Sequence, residues 1–211
     1  MRRTLQQTII TVYIALVMLA FFSGQVLAQA AQQQYQTCIA CHGDKGQGNE
    51  PLKAPALAGQ HAWYLNKQLT DFFEGARGSH EDDANGKLML PFASSLATPA
   101  LRQSMADYLS SMPVVSADNN VSGDMKNGYR YYQAKCGACH GGKAEGNKVF
   151  NAPNLAILDS EYLMLQMVNF KNGVRGYKAE DKLGRQMAMM ARTVSDKELN
   201  DIVFFISEQD K

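Results

Sequence analysis

The sequence has no long apolar run, and this absence limits the kind of protein it can encode. The longest such run covers about residues 9–22, roughly 14 residues, whereas a bilayer-spanning helix needs about 20. The net charge is +1 without a strongly basic stripe, so nothing indicates binding to nucleic acid. No segment predicts a convincing β-hairpin. With 211 residues and ordinary charge content, a globular chain of one or two small domains is expected.

The first thirty residues have the layout of a secretory signal peptide. Arg2 and Arg3 form a positive start, the apolar run follows, and Ala28-Gln29-Ala30 places small residues where a signal peptidase reads. We therefore predict a Sec-type signal peptide over residues 1–30 and export of the mature chain. An uncleaved N-terminal anchor is the alternative interpretation of the same residues.

Cysteine is also scarce, and its placement is informative. All four cysteines fall in two Cys-x-x-Cys-His segments, at residues 38–42 and 136–140. This is the haem c attachment pattern: the thiols add to the haem vinyl groups and the histidine binds the iron. Neither segment has the surrounding βαβ pattern of a thioredoxin-like pair, and structural zinc would not require a histidine after each pair. The prediction is two covalently bound haem c groups, attached through Cys38, Cys41, Cys136 and Cys139, with His42 and His140 as axial iron ligands.

The two attachment segments belong to a longer internal repeat. They lie 98 residues apart (136 − 38), and the same offset aligns residues 54–58 with residues 152–156. The register holds without a gap as far as Gly78, which indicates a gene duplication.

The duplication predicts a protein of two tandem, similar domains. We place domain 1 at residues 31–113, a polar linker at residues 114–120 and domain 2 at residues 121–211. Domain 1 has six Lys/Arg and eight Asp/Glu, a balance of −2, whereas domain 2 has thirteen and eleven, a balance of +2. This difference would orient the two ends toward different partners; ordinary solvated surfaces explain it equally well.

The offset also predicts the second axial ligands. Low-spin electron-transfer haems take methionine or histidine on the far side of the iron. Of the eleven methionines, only Met89 and Met187 are related by the offset, and each lies 47 residues after its proximal histidine (89 − 42 and 187 − 140). The spare histidines, His61 and His80, have no counterparts in domain 2 and are interpreted as surface residues. Met189 and Met190, which neighbour Met187, are interpreted as packing residues.

Local signals predict the helices. Thr98-Pro99 is a helix start, and Ser195 with Glu198 forms a capping box. The methionine-bearing segments at residues 87–95 and 184–192 are predicted to be loops that fold over the haem. Outside the attachment sites, the predicted helices cover residues 61–74 and 99–111 in domain 1 and residues 124–135, 160–171 and 196–207 in domain 2.

Taken together, these features resemble the dihaem cytochrome c4 family over essentially the whole mature chain. Besides the attachment segments, the resemblance rests on Ala-Pro-x-Leu-Ala at 54–58 and 152–156 and on Met-x-x-[Phe/Met]-Ala-x-x-[Leu/Val] at 89–96 and 187–194. It implies an all-α protein of two tandem cytochrome c domains, which face each other across a pseudo-twofold axis and each hold a low-spin His/Met iron. It also implies a bacterial periplasmic protein, soluble or loosely membrane-associated. Such a protein passes electrons from a quinol-oxidising complex or dehydrogenase to a terminal oxidase or reductase.

The resemblance gives roles to four further residues. The carbonyl groups of Pro55 and Pro153 would accept the N–H of the proximal histidines, which fixes the tautomer and raises ligand basicity. Arg77 and Arg175 would neutralise haem propionates. For the two arginines, a solvated surface position is the alternative.

A non-catalytic electron carrier is the leading interpretation, and it requires both irons to be six-coordinate. The rival is a haem enzyme or gas-binding protein with one open or weakly ligated iron. It is favoured by the difference between Leu90-Pro91-Phe92 after Met89 and residues 188–190 after Met187. His61 or His80 as a ligand would also make the two haems unlike. A dedicated subunit of a larger complex is a third interpretation.

Overall fold

The structure is a computed structural model that describes residues 7, 13, 29–115 and 121–209. Most of the predicted signal peptide and of the linker therefore lies outside the described residues. Within the described part, β pairing is limited to two isolated bridges, Asn49–Ala54 and Asn147–Ala152, so the all-α prediction is confirmed. In the same part of the chain, no helix is both long and apolar enough to span a membrane.

Domain 1 is a bundle of short helices around one apolar core. α3 (Ala62–Phe73) packs against α5 (Pro99–Ser111) and α4 (Ala84–Ser95). The core of buried side chains includes Tyr35, Leu65, Met105 and Leu109. A 3-10 turn at Glu50–Leu52 separates the attachment segment from α3. The helices are α1 (29–35), α2 (Ile39–His42), α3 (Ala62–Phe73), α4 (Ala84–Ser95) and α5 (Pro99–Ser111).

Domain 2 repeats this order, and its main helix contact is a close crossing of its first and last helices. A Cβ atom at Gly128 would overlap the backbone oxygen of Asp201 and come within 2.9 Å of Cβ of Phe205. Glycine is therefore required where these helices cross. The helices are α6 (Met125–Tyr132), α7 (Ala138–His140), α8 (Ser160–Lys171), α9 (Lys182–Ala191) and α10 (Asp196–Ser207), with a 3-10 turn at Lys148–Phe150.

The methionine-bearing segments are helices, so the prediction of loops there is wrong. α4 contains Met89, and α9 contains Met187. The side chains of Asp83 and Asp181 cap the two helices by accepting hydrogen bonds from backbone N–H groups three residues on, at 2.8 and 3.0 Å. These caps and the Leu, Met and Ala residues that follow favour helix strongly enough to accommodate Pro91 inside α4.

The other local predictions agree with the structure. Thr98 caps α5 through the Leu101 N–H at 3.2 Å, and Ser195 and Glu198 form the reciprocal capping box of α10. The helix predicted over residues 124–135 is α-helical only to Tyr132 and continues as a π-helical turn at Gln133–Gly137.

This π-helical turn explains a symmetric pair of tyrosines that the 98-residue offset does not align. The hydroxyl of Tyr35 donates to the carbonyl of Gly43 at 2.6 Å, and that of Tyr132 donates to the carbonyl of Gly141 at 2.7 Å. Tyr35 precedes its first cysteine by three residues and Tyr132 by four. A π turn holds one extra residue per turn, so it absorbs the insertion and keeps both tyrosines in equivalent positions.

The two domains contact each other through polar side chains. The buried side chain of Gln60 donates to the backbone oxygen of Asn154 at 2.7 Å and accepts from its N–H at 3.1 Å. A hydrogen bond of 2.6 Å joins the hydroxyls of Ser79 and Tyr177. Since Gln60 has no glutamine counterpart at the offset, this part of the contact is asymmetric.

Candidate haem sites

The predicted site residues of domain 1 are brought together around one cavity. The cavity has a volume of about 190 Å³, and its lining includes Cys38, Cys41, His42 and Met89. Much of the remaining lining is apolar and includes Phe72 from α3. An apolar cavity with two thiols, an imidazole and a thioether in its wall has the donor set of a c-type haem site.

Domain 2 has an equivalent cavity of about 370 Å³. Cys136, Cys139, His140 and Met187 line it, as the offset predicts. Met190 lines it as well, although the sequence indicated only a packing role. Two methionines of α9 therefore line the cavity of domain 2, whereas Met89 is the only methionine of α4 and lines the cavity of domain 1.

Both proximal histidines are held in the orientation that iron binding requires. Nδ1 of His42 lies 2.9 Å from the carbonyl oxygen of Pro55, and Nδ1 of His140 lies 3.1 Å from that of Pro153. A carbonyl oxygen can only accept, so Nδ1 donates and Nε2 keeps its lone pair. Burial lowers the pKa of both imidazoles, although the carbonyl contacts act in the opposite direction. Each ring is therefore neutral, as a metal ligand must be.

The four cysteines are free thiols in partly buried positions. Burial raises the pKa of Cys136 to about 11 and also raises the pKa of Cys38. Burial therefore favours the protonated form of these two thiols. None of the four cysteines is joined in a disulfide. Reduced sulfurs are what thioether attachment requires.

A buried donor in domain 1 supports the fit of a haem. Nε of Arg77 is buried and has no hydrogen-bond partner among the described residues, and Arg77 lines the cavity. An unpaired buried donor is costly, and a propionate carboxylate in the cavity would satisfy it. The residues of both domains therefore fit one covalently attached haem c each.

Arg77 is buried in the contact between the domains, which rules out the solvated surface position for this residue. Its Nη1 donates to Oε1 of Gln68 in its own domain at 2.7 Å. Its Nη2 crosses to domain 2 and donates to the hydroxyl of Tyr162 at 2.8 Å and to Oε1 of Gln166 at 3.1 Å. Burial raises the pKa of Tyr162, but the neighbouring arginine charges outweigh it and hold the pKa below its ordinary value.

Arg175 makes the same contacts in the opposite direction. Its Nη1 donates to Oε1 of Gln166 at 2.7 Å, while its Nη2 donates to Oε1 of Gln68 at 2.8 Å and to the hydroxyl of Tyr64 at 3.4 Å. The arginines, glutamines and tyrosines thus form one pseudo-symmetric network between the domains.

This network forms part of a wall that both cavities share. The shared lining residues are Tyr64, Gln68, Leu158, Tyr162 and Gln166. The two cavities are therefore separated by a single layer of side chains. The 98-residue repeat aligns Tyr64 with Tyr162 and Gln68 with Gln166. It does not show that these residues form a wall between the two cavities.

The spare histidines lie elsewhere. Nε2 of His61 is 3.2 Å from the backbone oxygen of Glu145 in domain 2, so His61 belongs to the domain contact. The ring of His80 packs edge-on against Tyr177 with 5.0 Å between centroids. Neither histidine lines either of the two described cavities, which gives no support to an alternative histidine ligand.

A chain with two helical domains, each enclosing an apolar cavity behind a Cys-x-x-Cys-His segment, is a tandem c-type cytochrome. The cytochrome c family model matches residues 28–113 and 125–210. The chain belongs to the cytochrome c family, and its relatives place it with the duplicated, dihaem cytochromes c4.

The similarity to these relatives extends over most of the chain. Cytochrome c4 of Azotobacter vinelandii is 27% identical over 187 residues, which is 85% of this chain and 87% of that protein. The structure of Acidithiobacillus ferrooxidans cytochrome c4 is 26% identical, with a TM-score of 0.66 over 81% of this chain and 97% of that one. A thiosulfate dehydrogenase electron acceptor of Thiomonas intermedia is 29% identical over 90% of this chain and 86% of that protein. The chain is accordingly a dihaem electron-transfer cytochrome.

Proposed function

We propose that this protein is a periplasmic electron carrier that takes electrons from a dehydrogenase or quinol-oxidising complex and passes them to a terminal oxidase or reductase. Each haem, when bound, supplies a one-electron iron couple. The observation that carries the proposal is the shared wall between the cavities. One layer of side chains between two sites allows an electron that enters at one domain to leave from the other.

The ligand set supports a carrier without catalysis. His42 with Met89 and His140 with Met187 would leave neither iron a position for substrate. The polar network between the domains supports the same function, because it holds both cavities in one arrangement. Periplasmic location follows from the predicted signal peptide and remains part of the proposal.

The choice of a dehydrogenase as donor is supported by the Thiomonas relative, whose name describes an electron acceptor of thiosulfate dehydrogenase. A carrier of this kind should have no thiosulfate-oxidising activity of its own. Its haems should become reduced only when the dehydrogenase is present.

The ligation experiment is an optical spectrum of the purified oxidised protein, followed by reduction and addition of carbon monoxide. We expect a methionine–iron charge-transfer band at the red edge with the intensity of two haems, and no spectral change with carbon monoxide. Band intensity for one haem, or carbon monoxide binding, would instead favour the enzyme or gas-binding interpretation.

The donor is tested by mixing the oxidised protein with thiosulfate, with and without a purified thiosulfate dehydrogenase, and following the reduced haem absorption. Reduction only in the presence of the dehydrogenase supports the proposed donor. Reduction by thiosulfate alone would identify catalysis in this chain, and no reduction in either mixture would direct the search to a quinol-oxidising donor.

A further inference from the structure

The two haem cavities differ in the charge of their walls. In domain 1, the charged lining residues among those described are Lys53 and Arg77, and no carboxylate lines the cavity. The lining of the domain 2 cavity has two carboxylates, Asp71 and Asp181, together with three cations, Lys67, Lys135 and Arg175. Asp71 belongs to α3 of domain 1, so one domain supplies an acid to the haem site of the other.

The asymmetry results from residues at which the two repeats differ. The position equivalent to Asp71 is Asn169, and the position equivalent to Lys67, which also lines the cavity of domain 2, is Leu165. Domain 2 therefore has no acid–base pair to present to the cavity of domain 1. Carboxylates in the cavity lining are therefore a feature of the domain 2 haem site.

Asp71 is enclosed by charged groups. Nζ of Lys67 lies 2.9 and 2.7 Å from its two carboxylate oxygens, and 3.6 Å from Oδ1 of Asp181 across the domain boundary. The side chains of Asp71 and Asp181 are only 13% and 9% exposed. Two largely buried carboxylates from opposite domains thus share one lysine, with Arg175 as a second cation nearby.

Burial of the Asp71 carboxyl favours its protonated form. Burial raises the pKa of Asp71 and the charge of Asp181 raises it further, whereas Lys67 and Arg175 lower it, with a net upward shift. A buried carboxylate beside a second carboxylate is the usual setting for such a shift.

We propose that Asp71 is a proton-binding site coupled to the oxidation state of the iron in domain 2. When domain 2 gains an electron from its donor, one positive charge is removed from the cavity, and the Asp71 carboxylate binds a proton from the solvent more tightly. On oxidation, the electron leaves to the acceptor and Asp71 returns the proton. The proposal deepens the carrier function, since it concerns the potential at which domain 2 exchanges its electron.

The coupling has a defined sign. Ionised Asp71 stabilises the oxidised, more positive site, so the reduction potential of the domain 2 haem should fall as pH rises through the pKa of Asp71. We expect proton affinity to differ roughly tenfold between the two oxidation states, which corresponds to about 59 mV for a one-electron couple. The haem of domain 1 should show no such pH dependence.

The experiment is a redox titration of the holoprotein at several pH values between about 4 and 8. NMR of the haem methyl signals monitors the oxidation state of each haem. The haems are assigned through contacts to Leu69, which lines only the cavity of domain 1, and Met167, which lines only that of domain 2. Asp71→Asn should raise the potential of the domain 2 haem at neutral pH and remove its pH dependence. Asp107→Asn, at an exposed position outside both cavities, is the matched control and should change neither.

A domain 2 potential that does not vary with pH, or one whose pH dependence persists in Asp71→Asn, would overturn the proposal. So would loss of the dependence in Asp181→Asn alone, because the acid would then be Asp181. The titration uses purified protein without partners, so its failure leaves the carrier function open. A failed carrier test, by contrast, would appear as carbon monoxide binding.

Discussion

His42 and His140 show how single side chains are prepared for iron. Each Nδ1 donates to a proline carbonyl 13 residues further along the chain. The lone pair of Nε2 is therefore free to bind the iron. Such outer hydrogen bonds raise the basicity of a ligand and fix its tautomer. The proline-containing segments at 54–58 and 152–156 are therefore part of each site, as the resemblance implied.

Two methionines of α9 are candidates for the sixth iron ligand of domain 2. Met187 and Met190 both line the cavity, whereas only Met187 has a methionine partner at the 98-residue offset. We predict that Met187→Ala abolishes one haem's methionine–iron band and allows carbon monoxide to bind the reduced protein.

Met190→Ala should leave both spectra unchanged, and Met189→Ala, at a position 61% exposed, is a further control. The reverse pattern, with the band lost only in Met190→Ala, would transfer the ligand role to Met190. Near-infrared absorption and carbon monoxide difference spectra distinguish these outcomes.

At the scale of elements, the crossing of α6 and α10 depends on the absence of a side chain at Gly128. An added methyl group would overlap the backbone of Asp201, which cannot move without shifting α10. We predict that Gly128→Ala destabilises the protein by about 2 kcal/mol or more, as overpacking does.

Gly142→Ala is the matched control, because nothing lies within 4 Å of the added carbon. Its effect on stability should stay within about 0.5 kcal/mol. Thermal unfolding of both holoprotein variants tests this, and equal stability of the two would contradict the crossing seen in the structure.

The Asp201 carboxylate at the same crossing should make the stability of the protein depend on pH. Asp201 accepts the Asp124 N–H at 3.0 Å and pairs with Lys197 at 3.0 Å, and these contacts lower its pKa. A lowered pKa stabilises the folded state above the ordinary aspartate value of about 3.9, and this stability is lost as pH falls below it. We predict that Asp201→Asn unfolds at lower temperature than the parent at pH 7.

The difference between parent and variant should shrink as pH falls from about 4 toward 2, where the aspartate itself becomes neutral. Melting temperatures measured by circular dichroism over that range test the prediction. A constant difference at every pH would show that Asp201 acts through packing and not through its charge.

At the scale of the whole molecule, Gln60 joins the two domains. It is almost fully buried, and its amide bonds both backbone groups of Asn154. Gln60→Ala leaves these groups unpaired, at a cost of about 1–3 kcal/mol each. We predict that the variant separates the unfolding of the domains into two steps.

Gln103→Ala, which removes an exposed glutamine bonded to Asp107, is the control and should unfold as the parent does. Calorimetry of the holoproteins provides the measurement. A Gln60→Ala variant with one unchanged transition would mean that the other contacts between the domains hold them together without Gln60.

Short-range spacing explains why so much of this protein could be predicted. The attachment segments and the helix caps are patterns of a few neighbouring residues, for which backbone geometry relates sequence distance to spatial distance. The 98-residue repeat then shows that the second half of the chain has the same pattern as the first. The Met-bearing segments were predicted to be loops, whereas the caps at Asp83 and Asp181 start helices there.

The sequence by itself determined the cofactor class, the duplicated fold, and the cysteines, histidine and offset-related methionine that line each cavity. Only the tertiary structure decided that Arg77, which is buried, and Arg175, which is half-buried, bond across the domain contact. It also decided that Met190 shares a cavity with Met187 and that Asp71 faces the other domain's haem site. Contacts across a domain boundary depend on how two surfaces pack. Because no periodicity along the chain records that packing, the asymmetry of the two haem sites emerged only when the domains were seen together.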